Sequence, residues 1–274
     1  MNLKPRFSFS SAALVLALLL MWPLVGSCQY LRYVKDLNPI MAGTKPVNHA
    51  PFDALLKKHV DAQGMVNYRG FLADSSKLSA YLTTVSNTLP NEQWSKNDQL
   101  AYWLNAYNAF TIQRVLRGYP VKSIRQLGGD KTLVNTVWDQ RFIRLGNDKE
   151  KYCLNDLEQR LIRRKFNGEY RVHFALVCAA VSCPKLRNEA YVGSRLSQQL
   201  EDQSRDFVND PAKNKLTPAN APQVSEIFNF YPGDFKKDGN TLAKTLNKYS
   251  NGPKVDAEIK PKFITYNWAL NEQK

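Results

Sequence analysis

Asp98 to Arg117 reads DQLAYWLNAYNAFTIQRVLR, and Gly118 and Pro120 follow it. Leu100, Trp103, Leu104, Tyr107 and Phe110 recur at three- and four-residue spacing, an apolar stripe that predicts an α-helix lying on a core. The glycine and proline close it as a helix stop should. Asn105 and Asn108 stand at i and i+3 and are neighbours on that helix. Asparagine competes with the backbone for hydrogen bonds, so two of them among aromatic residues need a reason. Either they belong to a site, or they are buried amides that tie the helix to a loop.

Elements of both kinds flank this helix. Phe52, Leu55, Leu56, His59 and Val60 mark an earlier amphipathic helix that stops at Gly64, and Leu72, Leu78, Tyr81, Leu82 and Val85 mark a second one ended by Pro90. Downstream, Arg141 to Leu145 and Lys151 to Leu154 flank a Gly146-Asn147-Asp148 turn and read as a hairpin. Asn155 to Glu158 starts another helix, and Val172 to Cys178 has the length and apolar run of a buried strand. Helices are expected near Ser194–Val208 and Val224–Tyr231, with a final strand over Phe263–Trp268. Helices outnumber strands and the strands come late, which predicts an α+β class: a helix-rich single domain with a small, mainly antiparallel sheet.

The chain opens with Lys4 and Arg6, an apolar run from Ala12 through Val25, and small residues before Cys28. This is the layout of a secretory signal, and the run, interrupted by Pro23, falls short of the roughly 20 apolar residues that span a bilayer. Leu24-Val25-Gly26-Ser27-Cys28 resembles the lipobox of bacterial lipoproteins, which implies cleavage before Cys28 and acylation of its thiol with palmitate-type chains. Ordinary cleavage after Ser27 is the alternative, and intact mass of the membrane fraction separates the two. Residues 1–27 are thus expected to be signal, 28–47 a tether and 48–274 the globular domain. Gln29 after the cysteine is similar to the outer-membrane sorting pattern of that class, facing the periplasm.

Thirty-eight Lys and Arg against 24 Asp and Glu give a net charge of +14, which falls by two when Lys4 and Arg6 leave with the signal. A basic surface favours anionic company. Export removes nucleic acid from consideration, leaving the membrane, reached through the lipid anchor, and anionic envelope components as expected partners.

Cys178 and Cys183 are separated by a short loop that can bring two Cα atoms within bonding range, and an oxidising compartment permits the bridge. Of three histidines, His173 is the candidate base. A direct His173–Cys183 dyad is constrained: five extended residues cover about 17 Å, so the loop would have to fold fully back. Glu158 can orient the imidazole as the third member of a triad does, unless it closes a capping box with Asn155. Asn105 or Asn108 can polarise a substrate or a developing oxyanion, and Cys183 is the candidate nucleophile. The H-x4-C-x4-C spacing is no standard zinc arrangement, and no nucleotide or metallopeptidase motif occurs. No cofactor or metal is expected.

Tyr102-Trp-Leu-Asn-Ala-Tyr-Asn-Ala109, Leu154-Asn-Asp-Leu-Glu158, His173 through Pro184 and Ile227-Phe-Asn-Phe-Tyr231 together resemble the domain of unknown function 547 family, over roughly Phe52 to Asn271. The resemblance implies a bacterial envelope or lipoprotein setting for many members, a plant branch joined to coiled-coil segments, and no reaction for the class. Gln159 stands where many relatives have histidine, and plant relatives lack the cysteine matching Cys183. The order of a helix followed by a histidine-bearing strand also resembles papain-like and transglutaminase-like enzymes, though the nucleophilic cysteine at the helix start is missing. These readings leave two classes open. One is an enzyme, a hydrolase or transferase acting on amide, ester or acyl bonds; the other is a non-catalytic binding or assembly module.

Overall fold

In the computed structural model, residues 45–128 and 136–274 are described. The signal segment, Cys28 and the tether up to residue 44 lie outside the described residues.

The quoted stretch sits in helix α4, Lys96–Leu116; the three helices before it are α1 (Ala50–His59), α2 (Tyr68–Ala73) and α3 (Ser75–Asn87). Ser95 starts α4 earlier than expected: its Oγ accepts from the Asp98 amide at 3.0 Å and donates to the Asp98 carboxylate at 2.6 Å, a cap that ties down the first turn. The one-sided stripe needs correcting, because every residue from Gln99 to Ile112 is buried. A helix apolar on all sides belongs in the middle of a fold, and α4 packs against α2, α3, α5 and the segments near Glu158 and Gly193.

The helix expected over Leu72 to Val85 is two helices, broken at Asp74. Its carboxylate accepts from His59 Nε2 at 2.8 Å and from Lys58 at 2.6 Å, and it pairs with Lys77 at 2.9 Å. That anchoring fixes the corner between α2 and α3 against α1. Gly70 allows the approach, since a Cβ there would lie 2.5 Å from the His59 ring.

His49 is not in a tether but buried at the start of α1, with Nδ1 2.8 Å from the Tyr81 hydroxyl. Burial pushes its pKa down from 6.5 to about 4, against a smaller opposite pull from Asp98. The folded state therefore disfavours the imidazolium, and the stability this gives is complete above pH 6.5 and is lost as pH falls towards 4. The shift corresponds to about 3 kcal/mol. Urea midpoints measured between pH 7 and pH 4 are expected to fall, and to fall less in His49→Gln.

Beyond α4 come a 3-10 turn (Ile124–Leu127), a π-helix (Asp156–Arg163), 3-10 turns at Tyr170–Phe174 and Gly193–Arg195, α5 (Leu196–Asn209), β1 (Gln223–Ser225), α6 (Ile227–Phe230), another 3-10 turn opening at Asp234, α7 (Leu242–Tyr249) and β2 (Lys262–Ile264). The hairpin is reduced to one antiparallel bridge, Ile143 with Tyr152. The domain is α+β and helix-rich with a small sheet, as expected, but β1 and β2 pair in parallel, Val224 opposite Phe263. The long connection through α6 and α7 is what a parallel pair requires; the remaining antiparallel pairings are isolated bridges such as Ala180 with Leu270. Among the described residues no helix is long and apolar enough to cross a membrane.

The strand expected over Val172–Cys178 is absent. Its backbone is satisfied by side-chain amides instead of a neighbouring strand. Asn108 Nδ2 donates to the Ala175 carbonyl at 3.0 Å and its Oδ1 accepts from the Val177 amide at 3.0 Å, while Gln203 donates to the Phe174 carbonyl at 3.0 Å. A buried run needs its polar backbone groups paired, and two amide side chains from α4 and α5 do this without a sheet. Phe174 then stacks on Phe207 (centroids 4.9 Å apart) and packs with Phe228 and Phe235. This aromatic core fixes three chain segments whose adjacent residues are His173, Tyr231 and Asp234.

Candidate functional site

His173 and Tyr231 line a pocket of about 210 Å³, and Asp234 meets His173 from outside its lining. His173 Nε2 lies 2.7 Å from Asp234 Oδ2, and the imidazole stacks on the Tyr231 ring at 4.0 Å with 21° between planes. Arg163 grips both oxygens of Asp234, at 2.6 and 2.9 Å, and its guanidinium lies 4.8 Å from the Tyr231 ring centre. Burial pushes the Asp234 carboxyl up, but hydrogen bonds from His173 and Arg163 outweigh it and hold the group below the usual carboxylate range. An ionised Asp234 can only accept, so Nε2 carries the proton between them and Nδ1 is the nitrogen left for other chemistry.

Glu158 faces the same pocket. Tyr231 donates to its Oε1 at 2.5 Å and Tyr107 to its Oε2 at 3.3 Å. Burial, then the Glu158 charge, pushes both phenols well up, so they remain protonated donors. The capping box does not form: Asn155 makes no cap and donates instead to Asp139 at 2.6 Å. Glu158 is thereby free of the helix end. The i→i+5 winding of the π-helix, a form often found at functional sites, sets Glu158 and Arg163 one turn apart, one towards each side of Tyr231's contacts.

The expected roles of His173 and Glu158 therefore change. Both line the pocket, but the carboxylate that orients the imidazole is Asp234, and Glu158 reaches the histidine through Tyr231 and, along Gln159 and Arg163, through Asp234. Asn105 and Asn108 do not line the pocket, which corrects their expected part in polarising a substrate. Asn105 clasps Tyr191, donating to its carbonyl at 2.8 Å and accepting from its amide at 2.9 Å, as Asn108 clasps Ala175 and Val177. Both are buried amides tying the helix to loops.

Cys178 and Cys183 are joined as a disulfide, with Cα atoms 6.2 Å apart. A bonded sulfur is no nucleophile, which corrects that role for Cys183 and removes the direct dyad with His173. On loop length alone the bridge contributes about 2 kcal/mol. It forms part of the pocket wall, where the Tyr266 hydroxyl lies 3.2 Å from one sulfur and 3.3 Å from the other. Cys153 is free and buried; burial and then Asp156 push its thiol up to about 12, so it is inert at neutral pH. Among the described residues two of the three cysteines are in the bridge and the Cys153 thiol donates to Asp156, so no free thiol lines the pocket beside His173. Among the described residues no group of three His, Cys, Asp or Glu could hold a metal ion.

Sequence reasoning missed Asp234, Arg163, Tyr107 and the aromatic wall. Tyr231 closes one of the fragments quoted for the family and could have been found there. Tyr266 and Trp268 fall in the strand expected over Phe263–Trp268, but the strand formed is Lys262–Ile264, and both rings lie beyond it. Gly233-Asp234-Phe235 carries no motif.

Residues 91–208 match the family model described as "Protein of unknown function, DUF547". That span holds α4, Glu158, His173 and the disulfide; it is narrower than the resemblance read from Phe52 to Asn271, and Tyr231 and Asp234 fall outside it. No curated protein and no solved structure matches the chain. The likeness in element order to papain-like and transglutaminase-like enzymes loses its second element, since His173 lies in a 3-10 turn and not on a strand.

Proposed function

We propose that the protein is a lipoprotein of the bacterial envelope, anchored through Cys28 and probed by its basic surface against anionic envelope components, whose working site is the pocket shared by Glu158 and His173. The reading of the first 28 residues supports the address. The observation that carries the site is the 2.7 Å contact of His173 with an Asp234 that Arg163 holds in place, because a base needs its tautomer fixed from behind.

The chemistry this arrangement supports is hydrolysis of a small amide, ester or acyl bond. His173 Nδ1 takes a proton from water, the resulting hydroxide adds to the acyl carbon, and the leaving amine or alcohol takes the proton back. Glu158, held by two phenols, binds the substrate's donor or cationic end. Water is the nucleophile in this scheme, since the nearby sulfurs are bonded to each other. The test is hydrolysis of p-nitrophenyl acetate by the purified mature protein: turnover that depends on His173 supports the reading, and turnover unchanged in His173→Asn rejects it.

One observation favours the second reading, a binding module without chemistry. The His173 side chain is only 1% exposed, packed between Tyr231 and Phe235. A protein that binds a ligand in the pocket but turns over no ester would belong to that class.

A further inference from the structure

We propose that the group this pocket accepts is a cation, an alkylammonium head rather than an anion or a neutral sugar. The inference rests on the pocket being the working site and names the ligand class it takes.

The first argument is the wall. Trp138 and Trp268 have ring centres 5.5 Å apart, Trp268 and Tyr266 4.5 Å, and Tyr266 and Phe230 5.5 Å, all tilted rather than parallel. All four line the pocket as a continuous aromatic surface. Ring faces carry negative potential and attract ammonium and guanidinium groups, most strongly where water is excluded. One of these rings already holds a cation: the Arg125 guanidinium lies 5.2 Å from the Trp268 ring centre.

The second argument is the charge of the lining. Among the described residues that line the pocket Glu158 is the one carboxylate, and no lysine or arginine lines it. His173 is the remaining titratable nitrogen base, with Nε2 engaged by Asp234. An anion entering here would meet Glu158 and ring faces, with no cationic partner to offset its desolvation. The whole chain stands at +14, and the arginines stacked on two of the pocket's rings, Arg125 on Trp268 and Arg163 on Tyr231, are not among the described residues that line the hollow. The size fits a head group rather than a drug-sized molecule, since about 210 Å³ is below the roughly 300 Å³ at which ordinary ligand pockets begin.

The test compares choline with 3,3-dimethylbutan-1-ol, which has the same shape without the charge, binding to the full mature protein by calorimetry, in wild type and Glu158→Gln. Glutamine keeps the volume and accepts from one tyrosine through its Oε1, while its Nε2 can donate to the other hydroxyl. The expected result is choline binding roughly tenfold tighter than the alcohol, with most of that difference lost in Glu158→Gln. Equal binding of the two overturns the cation inference and leaves the pocket as a site. So does binding of neither while p-nitrophenyl acetate is still hydrolysed in a His173-dependent way. Loss of both binding and hydrolysis would sink the reading on which the inference rests.

Discussion

Asn108→Ala is expected to destabilise the domain by about 4 kcal/mol, although Asn108 touches no ligand and lies in mid-helix. The substitution leaves the Ala175 carbonyl and the Val177 amide, both in a buried segment, without the partners now at 3.0 Å. Each unsatisfied buried group costs about 1–3 kcal/mol, and alanine's better helix propensity returns only about half a kcal/mol. The segment at stake joins His173 to Cys178, so the pocket should lose its wall with the fold's margin. Urea unfolding followed by circular dichroism measures the loss. Asn108→Asp keeps the acceptor for Val177 but turns the donor to Ala175 into a buried carboxylate oxygen facing that carbonyl, so it is expected to destabilise at least as much. A midpoint within the error of wild type in Asn108→Ala would show that the amide does not hold this segment.

His173→Asn is expected to lower ester hydrolysis by about 10²–10⁴-fold, the range for losing a positioned general base. Asparagine overlays the Nδ1 position but has no basic nitrogen and falls short of the Nε2 donor that meets Asp234, so turnover should fall while ligand affinity, set by Glu158 and the aromatic wall, persists. Asp234→Asn removes the acceptor that fixes the ring and leaves Arg163 without its paired carboxylate. It is expected to lower turnover less than His173→Asn and to reduce thermal stability as well. A rate loss confined to KM in His173→Asn would point to binding and against proton transfer.

The central helix was legible because its period and its stops are local. The strand at Val172–Cys178 was misread because periodicity reports burial and not the partner that satisfies the backbone; here the partners are Asn108 and Gln203, far away in sequence. The asparagine pair drew attention with two roles open, part of a site or a clasp on a loop, and the hydrogen bonds show the second. Two amides in mid-helix do signal a constraint, but hydrogen-bond geometry alone decides whether a loop or a substrate receives it. His173 and Glu158 stood out as chemically able residues and do share a pocket. Their real partners, Asp234 and Tyr231, are delivered by Phe235 and Phe228 packing into an aromatic core, and no spacing rule encodes that meeting. The parallel pairing of β1 and β2 was equally hidden, since strands of three residues carry too little alternation to declare a direction.

The account depends on His173 being a neutral base whose Nε2 proton is held by Asp234. With only three histidines in the chain, nitrogen-15 NMR of the imidazoles measures this directly through long-range proton couplings. The predicted spectrum at pH 7.5 assigns His173 a protonated Nε2 and a bare Nδ1, with that preference lost in Asp234→Asn. A proton on Nδ1 instead, with Nε2 bare, would contradict the arrangement and remove the base from the proposed chemistry.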